Sequence, residues 1–184
     1  MIANTKTQFA KYTSAETFAK IVDYACVTEM WEYCAKAYEE ELCLQQGEEK
    51  ITYGELNAAT ANFRKVLQES GVTAGDRVGV YAPNGIDFAK TYLAITTLGA
   101  VAVLLPPHLD KMTVFGCSMK FALKALVYSP VLVENLEILK AKNPAFPTVE
   151  ITAKAEGVAP SVVVDGKAPC TILFTGGTTG RSKG

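Results

Sequence analysis

The stretch that decides the fold is DRVGVYAPNGIDFAKTYLAITTLGAVAVLLPP, residues 76–107. It opens on a short run rich in β-branched and aromatic residues, passes Pro83-Asn84-Gly85, continues with helical spacing, and closes on AVAVLLPP. Successive side chains of a strand point to opposite faces, so a strand with no polar side must be covered on both. Two such strands with a helix between them predict parallel pairing under helices.

The same alternation continues downstream. Residues 110–122 and 131–142 have helical spacing, and 124–130, 147–152 and the closing CTILFT read as strands. Upstream, residues 29–42 place Trp31, Cys34, Ala35, Tyr38 and Leu42 on one helical stripe. LCLQQGEEKITY reads as two short strands around a turn at Gly47. Thr52 and Glu55 have capping-box spacing, so a helix is expected from Tyr53, with Leu56, Ala59, Phe63, Val66 and Leu67 inward and a stop at Gly71. The expected class is therefore α/β: a largely parallel sheet with helices on both faces and right-handed crossovers. Residues 152–168, small and turn-rich, read as a surface connection to the last strand.

Composition narrows the function. With 184 residues and 49% hydrophobic content, the chain can bury one core and a small satellite. Eighteen basic and nineteen acidic side chains nearly cancel, leaving no global field to attract nucleic acid or an anionic membrane. Five cysteines, an odd set without C-x-x-C spacing, argue against a disulfide framework or structural zinc and for a reducing, cytoplasmic location. No apolar run is long enough to span a bilayer, and the first residues lack the apolar core of a signal peptide. Asp76 is expected to cap a turn, Asn84 to stabilise one, and His108 to sit on a surface loop. Tyr81 and Tyr92 read as core or interface aromatics.

The chemistry concentrates at residues 171–184, TILFTGGTTGRSKG. Glycine has no Cβ, so its backbone can approach an oxyanion and turn successive N–H groups inward. Threonine hydroxyls add neutral donors, and Lys183 adds a cation. The spacing is not G-x-x-x-x-G-K-[ST], because Arg181 and Ser182 separate Gly180 from Lys183. Nor is it the dinucleotide G-x-G-x-x-G fingerprint. A flexible glycine-threonine linker is the bland alternative, but direct attachment to an apolar strand favours a phosphate cradle.

FTGGTTGRSKG resembles the phosphate-loop signature of the adenylate-forming enzymes: acyl- and aryl-CoA synthetases, luciferases and peptide-synthetase adenylation domains. Phe174, Thr175, Gly177, Thr178, Thr179, Gly180, Lys183 and Gly184 match it. Gly176 stands where serine is usual, and Ser182 where proline is usual. Residues 51–107 are similar to the same family's N-terminal segment, in the right order relative to the loop. The resemblance implies that residues 1–184 are the N-terminal portion of an AMP-binding domain, an N-terminal fragment of the parent enzyme that ends at the phosphate loop.

It also implies ATP-dependent activation of a carboxylic acid to an acyl-adenylate, followed by transfer to coenzyme A. Thr175, Gly176, Gly177, Thr178, Thr179, Gly180 and Lys183 would bind the nucleotide phosphates, with Lys183 as the catalytic cation. The Gly-Gly form without the proline also occurs in bacterial long-chain fatty acyl-CoA synthetases, which favours a fatty acid substrate. An aryl or amino acid adenylating domain, and a non-catalytic nucleotide- or partner-binding module, are the alternatives. Most Mg2+ ligands, the adenine pocket and the acyl tunnel lie downstream of this loop in the family. The chain alone is therefore expected to be inactive, and its 90–107 region to self-associate through apolar surface that the missing half would cover.

Overall fold

The computed structural model describes residues 11–19 and 23–174. A short helix α1 (Ala15–Ala19) precedes α2 (Val27–Ala37), a hairpin of β1 (Leu42–Gln46) and β2 (Glu49–Thr52), and α3 (Tyr53–Glu69). Then come β3 (Arg77–Tyr81), α4 (Ile86–Thr97), β4 (Val101–Leu105), α5 (Lys111–Lys120) and β5 (Ala125–Tyr128). A 3-10 turn (Pro130–Leu136) leads into α6 (Glu137–Lys142), β6 (Thr148–Glu150) and β7 (Thr171–Leu173). Five strands form one sheet in the order β6-β5-β3-β4-β7, every neighbouring pair parallel. The expected class holds.

Side-chain alternation divides the core into two faces. Val78, Val80, Ala102, Ala125, Val127 and Val149 pack with Phe63, Val66 and Leu67 of α3 and Ala94 and Ile95 of α4. Tyr81, Val103, Leu105 and Leu126 pack on the other side with Val114 and Cys117 of α5 and with Leu136 and Leu139. From β3 the chain steps to β4 with α4 on one face, then steps back across β3 to β5 with α5 on the opposite face. One constant crossover hand requires that change of face when the direction reverses. Gly79 faces the second side, where an added Cβ would lie 2.5 Å from Leu126 Cδ1 and 2.7 Å from Leu123 Cδ1.

Local signals in the sequence place α3 well. Thr52 Oγ1 accepts the Glu55 N–H at 3.2 Å, and Glu55 Oε2 accepts the Thr52 N–H at 2.8 Å, a complete capping box. Past its C-terminus Gly71 takes φ +82°, the left-handed conformation expected there. The inward face differs from the sequence expectation. Leu56 joins Trp31 and Ala35 in a small satellite, Ala59 is half-buried, and Thr60 and Arg64 are buried.

Two helices also differ from expectation. The stripe beginning at Trp31 ends with α2 at Ala37, and Leu42, which the sequence offers both to that stripe and to the strand LCLQQ, opens β1, opposite Thr52 and 52% exposed. Pairing with β2 takes Leu42 away from the helix. Residues 131–142 wind first as a 3-10 turn and only then as α6. The five cysteines are free. Most of the 90–107 region is packed into the chain's own core, with Ile95, Leu98, Ala102, Val103 and Leu105 buried. The apolar surface expected there is therefore already covered.

Candidate functional site

In an open parallel sheet, ligands bind outside the carboxyl ends of the strands where successive connections leave on opposite faces. Here that switch lies between β3 and β5, whose connections leave in opposite directions and on opposite faces. A cleft of about 230 Å³ opens beside it, at the carboxyl ends of β3, β4 and β7, lined by Asn84, Phe88, Pro106, Pro107, Leu173 and Phe174 among others. Its walls are the loops after β3, β4 and β7.

Each loop is tied to the frame by buried chemistry. Tyr81, the last residue of β3, is buried, and its hydroxyl donates to the carbonyl of Leu109 at 2.7 Å. Asn135 Nδ2 donates to the same phenol oxygen at 2.8 Å. One side chain thus fastens the loop after β4 to the end of β3 and to the 3-10 turn. On the other side of the cleft, Ile86 N–H at the start of α4 donates to Gln46 Oε1 at 3.0 Å, so the β1–β2 hairpin closes against this edge. Lys90 lies just behind, with Nζ 2.6 Å from Asp87 Oδ1, 2.8 Å from the Ile151 carbonyl and 5.0 Å from the Phe63 ring centroid. These three contacts make it a structural cation.

β7 leads into the residues that the sequence assigns to the nucleotide phosphates. Thr171, Ile172 and Leu173 pair with Ala102, Val103 and Leu104. Tyr92 Oη and Thr171 Oγ1 share a hydrogen bond of 2.9 Å on one face, and Phe174 meets Phe121 edge-on, centroids 5.3 Å apart, on the other. Phe174 therefore ends at the cleft. The residues assigned to the nucleotide, Thr175, Gly176, Gly177, Thr178, Thr179, Gly180 and Lys183, lie outside the described residues.

Other sequence expectations can be placed. Asp76 Oδ2 accepts from Thr73 N–H at 2.8 Å and from the Thr73 hydroxyl at 2.9 Å, the expected turn cap. His108 is exposed on the loop after β4, and Asn84 is exposed at the cleft lip. Asp110 stands just before a helical segment, the position that favours an N-cap carboxylate. It caps α5 by accepting the Thr113 N–H at 2.8 Å, and that backbone hydrogen bond holds its carboxyl below the usual range. A depressed folded-state pKa means that the cap's contribution is complete above the unfolded pKa and is lost as pH falls through the folded one. Melting temperature should accordingly drop less between neutral pH and pH about 3 in Asp110→Asn, which keeps an acceptor but has no charge to lose.

The profile of the AMP-binding enzyme family matches residues 31–184. The chain belongs to that family. Among curated proteins it is similar to a long-chain-fatty-acid–CoA ligase of Mycobacterium tuberculosis, 28% identical over 145 residues, covering 73% of the chain and 29% of the ligase. A feruloyl-CoA synthase of an Amycolatopsis species is 30% identical over 142 residues, covering 77% of the chain and 29% of that enzyme. A polyketide synthase-nonribosomal peptide synthetase of Aspergillus flavipes is 30% identical over 149 residues, covering 81% of the chain and 4% of the synthetase. The chain thus spans less than a third of the length of each of these relatives.

Solved structures agree on the fold. The inhibitor-bound N-terminal domain of FACL13 from Mycobacterium tuberculosis superposes with a TM-score of 0.76 at 22% identity, covering 87% of the chain and 43% of that domain. The N-terminal subdomain of Klebsiella oxytoca NpsA, solved with 3-hydroxybenzoyl-AMSN, gives 0.70 at 19% identity, with 86% and 40% covered. The architecture is that of the N-terminal domain of adenylate-forming enzymes. No helix among the described residues is long and apolar enough to cross a membrane.

Proposed function

We propose that this chain supplies the triphosphate-binding side of an ATP-dependent acid–thiol ligase, which makes an acyl-adenylate and then an acyl-CoA. The observation that carries the reading is the seat of β7: a short parallel strand beside β4 that ends at the cleft beyond β3 and β4, directly before the glycine- and threonine-rich stretch of sequence. In-line attack of a carboxylate on the α-phosphorus expels pyrophosphate, and positioned donors that meet this growing charge lower the barrier. The main-chain amides of Gly176, Gly177 and Gly180 and the hydroxyls of Thr175, Thr178 and Thr179 would surround the β- and γ-phosphates. Lys183 would place its ammonium on the departing group.

Mg2+ bound with the triphosphate would neutralise further charge. Among the described residues no group of three or more His, Cys, Asp or Glu side chains could hold it. A fatty acid is the favoured substrate, on the Gly176-Gly177 pair, the absence of proline at Ser182 and the largely apolar lining of the cleft. The chain's similarity to a feruloyl-CoA synthase makes an aryl acid the competing substrate. A cytoplasmic location fits five free cysteines.

Fixing a backbone residue costs roughly 1–2 kcal/mol, so ordering the loop costs on the order of 10 kcal/mol, which phosphate contacts must offset. Residues 1–184 alone should therefore bind ATP weakly, at millimolar concentrations or above, with no acid-dependent pyrophosphate exchange. Titration of ATP into the purified chain, followed by amide chemical shifts, checks this. Shifts confined to 175–184 and lost in Lys183→Ala support the reading; shifts elsewhere, or insensitivity to the substitution, count against it.

A further inference from the structure

The connection from β6 to β7 has to cross the whole sheet, because these strands occupy its two edges. Four strand spacings make that roughly 19 Å. Other parallel crossovers in this sheet carry a helix, but residues 152–168 contain no regular element. Such a segment has little local stability of its own. It is held by side chains reaching for its carbonyls.

Asn62 Nδ2 donates to the carbonyls of Ala155 at 2.8 Å and Gly157 at 2.7 Å. Arg64 Nε donates to the Ala159 carbonyl at 3.0 Å, and its Nη1 donates to Thr97 Oγ1 at 2.8 Å. The Thr28 hydroxyl donates to the Val162 carbonyl at 2.9 Å. Main-chain bonds run from Ala159 N–H to Ala61 O, 3.0 Å, and from Val162 N–H to Thr97 O, 2.8 Å. Ala155 N–H also donates to Asn62 Oδ1 at 3.3 Å, and the Ser161 hydroxyl to Glu32 Oε1.

Arg64 is the unusual member. It is 5% exposed, and among the described residues no carboxylate lies within ion-pair distance of it. Glu32 acts on it only as a more distant charge, and a guanidinium buried without a direct ion pair costs stability unless hydrogen bonds compensate it. Its bonds go to the crossover on one side and to α4 on the other, so it joins α3, α4 and residue 159 at one point. Some ten residues later the chain enters β7, which has three residues and pairs on one side with β4.

We propose that Arg64, with Asn62, is a positioning residue for nucleotide binding: it fixes the helix-free crossover and, through it, the seat of β7 from which the phosphate loop departs. The nucleotide part rests on the reading of that loop given above; the crossover part does not. Losing the clamp lets β7 exchange between seated and unseated positions, and a phosphate cradle that spends less time assembled binds its ligand correspondingly less well.

Amide hydrogen exchange on the purified chain, with and without ATP, separates the two parts. In Arg64→Met the Ile172 amide should exchange about tenfold faster while Val80 and Val103 are unchanged, and the ATP-induced shifts at 175–184 should need about tenfold more ATP. Arg64→Lys, which keeps a donor in reach of one partner, should recover part of both losses. Thr97→Val removes one acceptor without changing shape and replaces Arg64→Met if that variant does not fold. Equal acceleration at Ile172, Val80 and Val103 would make Arg64 a contributor to global stability alone and overturn the proposal, as would no change at Ile172. Faster exchange at Ile172 in a chain that shows no ATP response even when unsubstituted would support the clamp and sink the nucleotide reading.

Discussion

Lys183→Ala should slow acid-dependent ATP–pyrophosphate exchange by about 10²–10³-fold in an active ligase that contains this chain, the usual cost of removing one donor from a site of developing negative charge. In the proposed role the ammonium meets charge that grows on the departing pyrophosphate, so the loss belongs in kcat, with a smaller change in the apparent affinity for ATP. Lys183→Arg should recover only part of the rate, because a planar fork does not replace a compact point charge. Melting temperature is the control. Unchanged exchange kinetics in a folded Lys183→Ala protein would remove Lys183 from its assigned role.

Phe63→Ala should destabilise the chain by about 3–5 kcal/mol, the range for truncating a buried aromatic side chain. Phe63 lies at the centre of the first face, packed among residues of α3, α4 and the sheet, and its ring also sits 5.0 Å from the Lys90 ammonium. Removing it opens a cavity and takes away one of the three groups that hold Lys90. For a chain of this length a loss of that size lowers Tm by on the order of 10 °C. Urea unfolding, compared with the exposed control Tyr12→Ala, measures it. A shift under 1 kcal/mol would mean that the first face repacks freely and does not define the helix positions.

Much of this architecture is legible in short stretches. Residues 76–107 announce a buried parallel pair, because a strand covered on both sides carries no polar alternation. Thr52 with Glu55, Gly71, and Asp76 with Thr73 are contacts between residues close in sequence, and local chemistry alone fixes them. Leu42 falls in both a helical stripe and a strand, because its helical spacing from Trp31 competes with pairing to Thr52, ten residues away, and only the pairing settles it. The same reason hid Tyr81, Asn135 and Arg64. Tyr81 reads as an ordinary core aromatic until Leu109 and Asn135 arrive at its hydroxyl. No local pattern singles out Arg64, whose partners Ala159 and Thr97 lie 95 and 33 residues away. The proposed phosphate-binding stretch is the reverse case, since its reading rests on consecutive residues alone.

The sequence by itself determined most of the element types, the covering of the sheet on both faces and the composition of the stretch that follows Phe174. Each of these depends on periodicity or on near neighbours along the chain. Strand order was decided only in the tertiary structure, and with it the cleft between β3 and β4. Strands buried on both faces look alike one at a time, and their order is settled by which helices and crossover segments pack over which pair. Residue 159 meeting residue 64 across the outside of α3 and α4 is one such contact, and it is the packing of the whole domain that brings them together.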